Sequence, residues 1–144
     1  MSLFHRPMKI LIMGLPGTGK SYLAERLSNH LECAWYNADD MRTSAKDWDF
    51  SYEGRNRQAF RMDAIASFEK KHNRTVICDF VCPTEETQKI FRADYIIWMD
   101  TLNKGRYEDT NYMFRAPKWF NKKIKHHLTQ IEIESLANEI RKEL

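Results

Sequence analysis

Cysteine is scarce and long apolar runs are missing from this 144-residue chain. Its three cysteines, Cys33, Cys78 and Cys82, are odd in number and form no CxxC pair. That argues against a disulfide framework or a cysteine-built metal site and fits reduced thiols in a cytosolic protein. The N-terminal apolar stretch Met8–Met13 is short and already contains Lys9, so neither a signal peptide nor a membrane span is expected and a cytoplasmic location follows. Neither sign of charge dominates. The formal net charge of +3 is too small to argue for nucleic acid by itself, yet it suits a protein that handles anionic ligands. The most basic stretch, Lys118, Lys122, Lys123, Lys125, His126 and His127, reads as a solvated edge ahead of a binding patch. No internal repeat, low-complexity tract or linker divides the chain, so residues 1–144 are expected to form one domain that buries roughly two-thirds of its unfolded surface.

What is present is a phosphate-binding loop pattern. Gly14-Leu15-Pro16-Gly17-Thr18-Gly19-Lys20-Ser21 matches G-x-x-x-x-G-K-[ST], between an apolar run and a segment where Leu23, Ala24, Leu27 and Leu31 recur at helical spacing. Such a loop turns successive backbone N–H groups around a polyphosphate at the positive end of the following helix, and glycines allow the close approach. Lys20 would lie against the β- and γ-phosphates and the Ser21 hydroxyl would ligate Mg²⁺. Gly14, Gly17, Thr18, Gly19, Lys20, Ser21 and the neighbouring Tyr22 are therefore the expected ATP site, the alternative being a plain glycine turn between strand and helix.

Along the rest of the chain strands and helices alternate. Cys33 to Asn37 reads as a second strand ending at an acidic turn. Residues from about Glu53 to His72 read as a long polar helix with Ala59, Met62, Ile65, Ala66 and Phe68 facing inward. Arg74–Cys78 and Asp94–Met99 read as the third and fourth strands, with a helix opened by Pro83-Thr84-Glu85-Glu86 between them. About 101–120 lacks periodicity, as expected of a lid in which Trp119 and Phe120 pin the loop to the body. A fifth, edge strand at Lys122–His126 precedes a helix capped by Thr129 that carries Ile131, Ile133, Leu136, Ala137 and Ile140. The expectation is an α/β fold, a P-loop NTPase-type three-layer sandwich with a five-stranded, mostly parallel sheet and ligands at the carboxyl ends of its strands.

Several chemistry-bearing residues fall at those strand ends. In Asn37-Ala38-Asp39-Asp40-Met41-Arg42, Asp39 and Arg42 would project from neighbouring positions if a helical turn begins here. A carboxylate there can take the proton of an attacking hydroxyl while the guanidinium holds an anionic group, or the pair can serve as an N-cap with an i, i+3 ion pair. Asp79 follows the third strand, where a carboxylate can act on Mg²⁺ directly or through water, or simply make a turn. Arg106 and Arg115 in the lid are candidates for neutralising charge on a transferring phosphoryl group. The aromatics of the loop-like segments, among them Phe50, Tyr107, Tyr112 and Phe114, could supply a base clamp worth about 1 to 3 kcal/mol per stacked base.

At this point the sequence resembles adenylyl-sulfate kinases, P-loop enzymes that phosphorylate the 3′-hydroxyl of adenosine 5′-phosphosulfate. Their D-G-D-N-x-R segment appears as Asn37-Ala38-Asp39-Asp40-Met41-Arg42, their phenylalanine-serine and arginine-asparagine pairs as Phe50-Ser51 and Arg55-Asn56, and their F-I-S-P motif as Phe80-Val81-Cys82-Pro83. The resemblance implies a kinase that uses ATP and Mg²⁺ in sulfate assimilation, with Lys20, Asp39 and Arg42 catalytic. It also implies that Phe50 stacks on the acceptor's adenine, that Arg42 and Arg55 grip its phosphosulfate, and that Gln58, Phe80 and Tyr107 contact it. The chain departs from the family at Asn37, Ala38 and Cys82 and in its shortened lid. Two other readings stay open: a polynucleotide 5′-hydroxyl kinase, whose D-D-x-R element Asp39-Asp40-Met41-Arg42 also resembles, and a nucleotide-binding regulatory protein without turnover. Asp47, Asp49 and Glu53 around Phe50 argue against a nucleic-acid channel. No membrane partner is expected, and a homodimer stays open.

Overall fold

The computed structural model describes residues 6–105 and 107–144. Strand β1 (Lys9–Met13) is buried along its whole length, as a strand covered on both faces must be, so it reads as a continuous apolar run rather than an alternation. Its one charged residue, Lys9, donates to Asp63 and to the Phe91 carbonyl and lies 4.6 Å from the Phe91 ring centroid. Helix α1 (Lys20–Leu31), strand β2 (Ala34–Asn37), helix α2 (Ala38–Ala45), helix α3 (Tyr52–Lys71) and strand β3 (Val76–Asp79) follow. Then come helix α4 (Glu85–Phe91), strand β4 (Tyr95–Met99), helix α5 (Glu108–Met113), strand β5 (Lys122–Ile124) and helix α6 (Gln130–Arg141).

The sheet order is β2-β3-β1-β4-β5, and every neighbouring pair is parallel. Alternate residues of β1 serve opposite cores. Ile10 and Ile12 pack with Leu23, Leu27, Ile133 and Ile140 under α1 and α6, whereas Leu11 and Met13 join Ala59, Met62, Phe80 and Phe91 under α3 and α4. The chain leaves β1 toward one edge, returns through β3, and then crosses to β4 and β5. That reversal opens a crevice at the carboxyl ends of β1 and β3.

Local chemistry sets the helix starts. Ser51 accepts from the Gly54 N–H at 3.1 Å, and Thr84 and Thr129 each form a reciprocal capping box, with Thr87 and Glu132 respectively. Gly54 is obligatory for a packing reason: a Cβ there would lie 2.1 Å from the Asp49 carbonyl oxygen, so the loop before α3 rests directly on its first turn.

Several expectations need correction. The acidic turn after β2, for which an N-capped helical turn is one reading, extends into a full helix, α2, and the lid segment contains the short helix α5. β3 starts at Val76 rather than Arg74 and includes Asp79, and β5 stops at Ile124. Phe68 and Ile131 point outward. The buried stripes of their helices run through Met62, Ala66 and Glu69, and through Ile133, Leu136, Ala137 and Ile140. Each outward residue sits two positions from a stripe residue, about 200° round the helix. Phe68 stacks instead on His72, with ring centroids 4.5 Å apart. Trp119 is more than half exposed, while Phe120 packs edge-on against Trp98. The three cysteines are free thiols, and burial pushes Cys33 and Cys82 up to about 12 and Cys78 upward too. No helix among the described residues is long and apolar enough to cross a membrane.

Candidate active site

The loop between β1 and α1 adopts a backbone that only glycine fills without strain. Gly14, Gly17 and Gly19 have φ of 151°, 85° and 95°. A Cβ on Gly14 would lie 2.5 Å from the Met99 carbonyl oxygen, and one on Gly19 would lie 3.0 Å from the His127 ring. Thr18 donates to the Leu15 carbonyl at 2.8 Å, and Thr101 donates to the Thr18 carbonyl at 3.0 Å, so the loop is braced from within and from the far side of the sheet. Unlike α2, α3, α4 and α6, helix α1 has no side-chain cap. Its first N–H groups are thus left for an anion. Lys20 Nζ arches back to the Leu15 carbonyl at 2.9 Å. Burial pushes its amine down to about 8, against the pull of Asp79 and Asp39.

Beside Lys20 the ends of β2 and β3 meet the loop. Ser21 donates to Asp79 Oδ2 at 2.8 Å, Trp35 Nε1 donates to Asp79 Oδ1 at 2.8 Å, and Asn37 Nδ2 donates to Ser21 Oγ at 2.8 Å and to Asp79 Oδ2 at 3.1 Å. Burial raises the Asp79 carboxyl above its ordinary range, while the bonds from Trp35 and Ser21 and the Lys20 charge pull it back. Two oxygen donors, a hydroxyl and a carboxylate, therefore adjoin at the mouth of the phosphate loop. Hard oxygens with room for water and phosphate ligands suit Mg²⁺, so Ser21 and Asp79 fit that ion.

Asp39, Arg42, Phe50, Arg55 and Gln58 line the same cavity of about 630 Å³ as Lys20. Asp39 is exposed on the first turn of α2, whose N-cap is Asn37: its Oδ1 accepts from the Asp40 N–H at 3.1 Å. Arg42 is committed elsewhere. Only 3% exposed, its Nη1 donates to the carbonyls of Asp47 and Asp49 at 2.8 and 3.2 Å, and its guanidinium lies 4.5 Å from the Phe50 ring. Arg55 approaches the same ring at 4.9 Å and donates through Nη2 to Thr110 Oγ1 at 2.6 Å, while its buried Nε has no partner among the described residues. Burial and the neighbouring Arg42 charge push the Arg55 guanidinium down to about 10. An anion in this place would relieve both effects. Gln58 donates to the Ala38 carbonyl at 3.0 Å and accepts from Arg61, which holds α2 on α3.

The remaining expected residues divide. Gly17, Gly19, Tyr22, Phe80, Asp79 and Tyr107 line the cavity, although Phe80 is almost wholly buried and meets Phe91 edge-on at 5.4 Å. Gly14 and Thr18 lie below it in the base of the loop. Arg115 is turned away, its Nη1 bonded to the carbonyls of Tyr112 and Phe114, and Arg106 lies outside the described residues. Sequence reasoning missed Trp35, Trp48, Asn37 as a donor, and Thr110. Asn37 was visible only as a departure from a motif, and Thr110 carried no signal.

Two of the three acids around Phe50 are paired. Asp47 binds Arg57 and Arg61 at 2.7 Å each, and Asp49 binds Arg57 at 3.1 Å. Bonds from Arg57 and Arg61 hold the Asp47 carboxyl well below the usual carboxylate range. Repulsion of a phosphate backbone by free carboxylates is therefore weaker than the sequence suggested. The basic stretch near the C-terminus also finds acids: Lys118 with Glu85, Lys122 with Glu139, Lys123 and Lys125 with Asp100, and His126 with Glu132.

Residues 10–114 match the family described as AAA domain. Among solved structures the chain is similar to the APS kinase CysC of Mycobacterium tuberculosis, in complex with AMPPNP and APS, at 18% identity and a TM-score of 0.79, covering 95% of this chain and 96% of that one. It is also similar to shikimate kinase from Aquifex aeolicus vf5 at 16% identity and a TM-score of 0.65, over 94% and 98% of the two chains. A sugar kinase from Janibacter sp. HTCC2649 matches at 10% identity and a TM-score of 0.68, over 92% and 93%. No curated protein sequence matches the chain. These neighbours share one three-layer kinase fold across three kinds of named kinase, and at such identities the likeness speaks for the fold alone.

Proposed function

The chain belongs to the AAA domain family, and on that premise we propose that it is an ATP-dependent small-molecule kinase whose acceptor is the 3′-hydroxyl of adenosine 5′-phosphosulfate. One observation carries the reading: a phosphate loop with Lys20 and Ser21 and a separate set comprising Asp39, Phe50 and Arg55 line one and the same cavity. A donor site alone would need no second wall.

Lys20 and the loop amides hold the β- and γ-phosphates in line with the acceptor. Ser21 and Asp79 would hold Mg²⁺, whose charge would offset that of the phosphate oxygens. Asp39 accepts the proton of the acceptor hydroxyl as its oxygen bonds to the γ-phosphorus and ADP departs with the electrons of the broken P–O bond. Phe50 gives a flat face to a base, and Arg55 offers its guanidinium to the acceptor's anionic group. Arg42, which the resemblance made a direct anion contact, works in this proposal through the Phe50 loop that it ties down.

The test is a panel of acceptors with labelled ATP: adenosine 5′-phosphosulfate, 5′-hydroxyl oligonucleotides, nucleosides and small polyols. Transfer to the first is expected. Transfer only to oligonucleotides would move the assignment to a 5′-hydroxyl kinase, a reading kept in view by the pairing of Asp47 and Asp49 with arginines. ATP binding without transfer to any acceptor would leave a nucleotide-binding regulator.

A further inference from the structure

Asn37 uses nearly all of its hydrogen-bonding capacity at the junction of three functional elements. The Nδ2 group lies 2.8 Å from Ser21 Oγ and 3.1 Å from Asp79 Oδ2, donating to the cleft between them, and Oδ1 takes the Asp40 N–H at 3.1 Å. The orientation of the amide is dictated by these partners, because the flipped group would turn its oxygen on a carboxylate and its N–H₂ on an N–H. β2 and β3 pair in parallel with Asn37 opposite Asp79, so the backbone register itself delivers the side chain to this place. α2 starts at the next residue and carries Asp39 on its first turn.

A helix cap alone needs only an oxygen, yet this side chain also sets its amide N–H₂ group against the two expected cation ligands. We propose that Asn37 is a positioning residue for the donor site: it aligns Ser21 with Asp79, keeps their pocket at a single negative charge, and fixes the start of α2. Nothing in its contacts touches a reacting atom. The inference rests on the reading of Lys20 to Ser21 as an ATP site, but it concerns cation dependence rather than the acceptor.

Two substitutions separate positioning from capping. Asp caps a helix as well as Asn, so N37D retains the cap, loses the donated bonds and sets a second carboxylate against Asp79. N37A loses both functions. The readouts are the affinity for a fluorescent ATP analogue in EDTA and in MgCl₂, and the melting temperature in each. For N37D, weaker binding in EDTA, a lower metal-free melting temperature and a gain from MgCl₂ about tenfold larger than that of the native chain are expected. N37A should melt lower in both media and should lose about tenfold of the MgCl₂ gain. If N37D matched the native chain in its MgCl₂ gain and its metal-free melting temperature, Asn37 would be a cap and nothing more. Should the native chain bind no ATP analogue in either medium, the proposed function would fall on its own. The metal-free melting temperature of N37D would still decide whether the Asn37–Asp79 contact orders the pocket.

Discussion

The two walls of the cavity, donor and acceptor sides under the proposed function, are built differently. The donor wall is a single local segment, Gly14 to Ser21, braced by its own Thr18 and by Thr101, and its shape is set by backbone angles that glycine alone makes easy. The acceptor wall is assembled from α2, the loop before α3, the first turns of α3 and the lid helix α5, and aromatic rings and arginines fill it. Phe50 is 49% exposed at its rim while Arg42 behind it is nearly closed off. A wall made of backbone is the same for every polyphosphate; one made of side chains from four segments can be changed a residue at a time. The donor wall should therefore tolerate no substitution, and the acceptor wall should trade one specificity for another.

The sharpest break between the two is Lys20→Ala. Transfer should fall on the order of a thousandfold or more, because a preorganised charge at the phosphates is removed. The melting temperature should hold or rise, since a buried amine held down at about 8 contributes nothing to stability. Initial rates together with a thermal melt check this, and a variant that retained transfer would remove the phosphate loop from the mechanism. Next in size is Asp39→Asn, for which a loss of about a hundredfold or more in kcat is expected with ATP affinity unchanged. Because Asp39 is exposed, no loss of fold should accompany it.

Within the acceptor wall, Phe50→Ala and Arg42→Ala should part company. Loss of the ring should weaken the acceptor by about 1 to 3 kcal/mol, visible in KM for the acceptor, and leave ATP binding and stability alone. Arg42→Ala should weaken the acceptor too, but it also frees two part-buried carbonyls that Nη1 now satisfies, so a stability loss of roughly 1 to 2 kcal/mol in urea unfolding should come with it. If Arg42→Ala lost acceptor affinity at full stability, Arg42 would contact the acceptor directly and the latch reading would fail.

The same division explains what the sequence disclosed. The phosphate loop was legible because its function lies in consecutive residues whose types follow from backbone geometry. The sheet was legible because strands buried on both faces become unbroken apolar runs, as in Lys9–Met13 and Tyr95–Met99. α2 hid behind Asn37 and two aspartates, which suit a turn as well as a helix start. Ile131 and Phe68 were assigned inward on apolar character, whereas the angular position on the helix decides which face is buried. The use of Arg42 on backbone carbonyls, and the reach of Arg55 to Thr110 across 55 positions of sequence, could not be read in one dimension. These are contacts between segments whose approach is decided only once the sheet has formed.

The smallest effect tests the donor wall from its protonation. In the free protein Lys20 holds its proton only below about 8, against 10.5 for an ordinary lysine. Between those values the unfolded chain binds more protons than the folded one, so this residue makes stability rise with pH across that window, while the cost of burying the charged amine is fully present below it. Bound phosphates supply the negative charge that brings the amine's pKa back up. ATP binding just above pH 8 should then take up a proton, and affinity should fall a few-fold as pH climbs through the window. Calorimetric titration at pH 8.5 in two buffers of different ionisation enthalpy measures the uptake directly, because the phosphates of ATP are already ionised there. The uptake should vanish in Lys20→Ala measured with enough nucleotide to saturate. Equal heats in the two buffers for the native chain would mean that Lys20 keeps its charge without a ligand, and the contrast between a backbone-built donor wall with a poised amine and a side-chain-built acceptor wall would lose its electrostatic half.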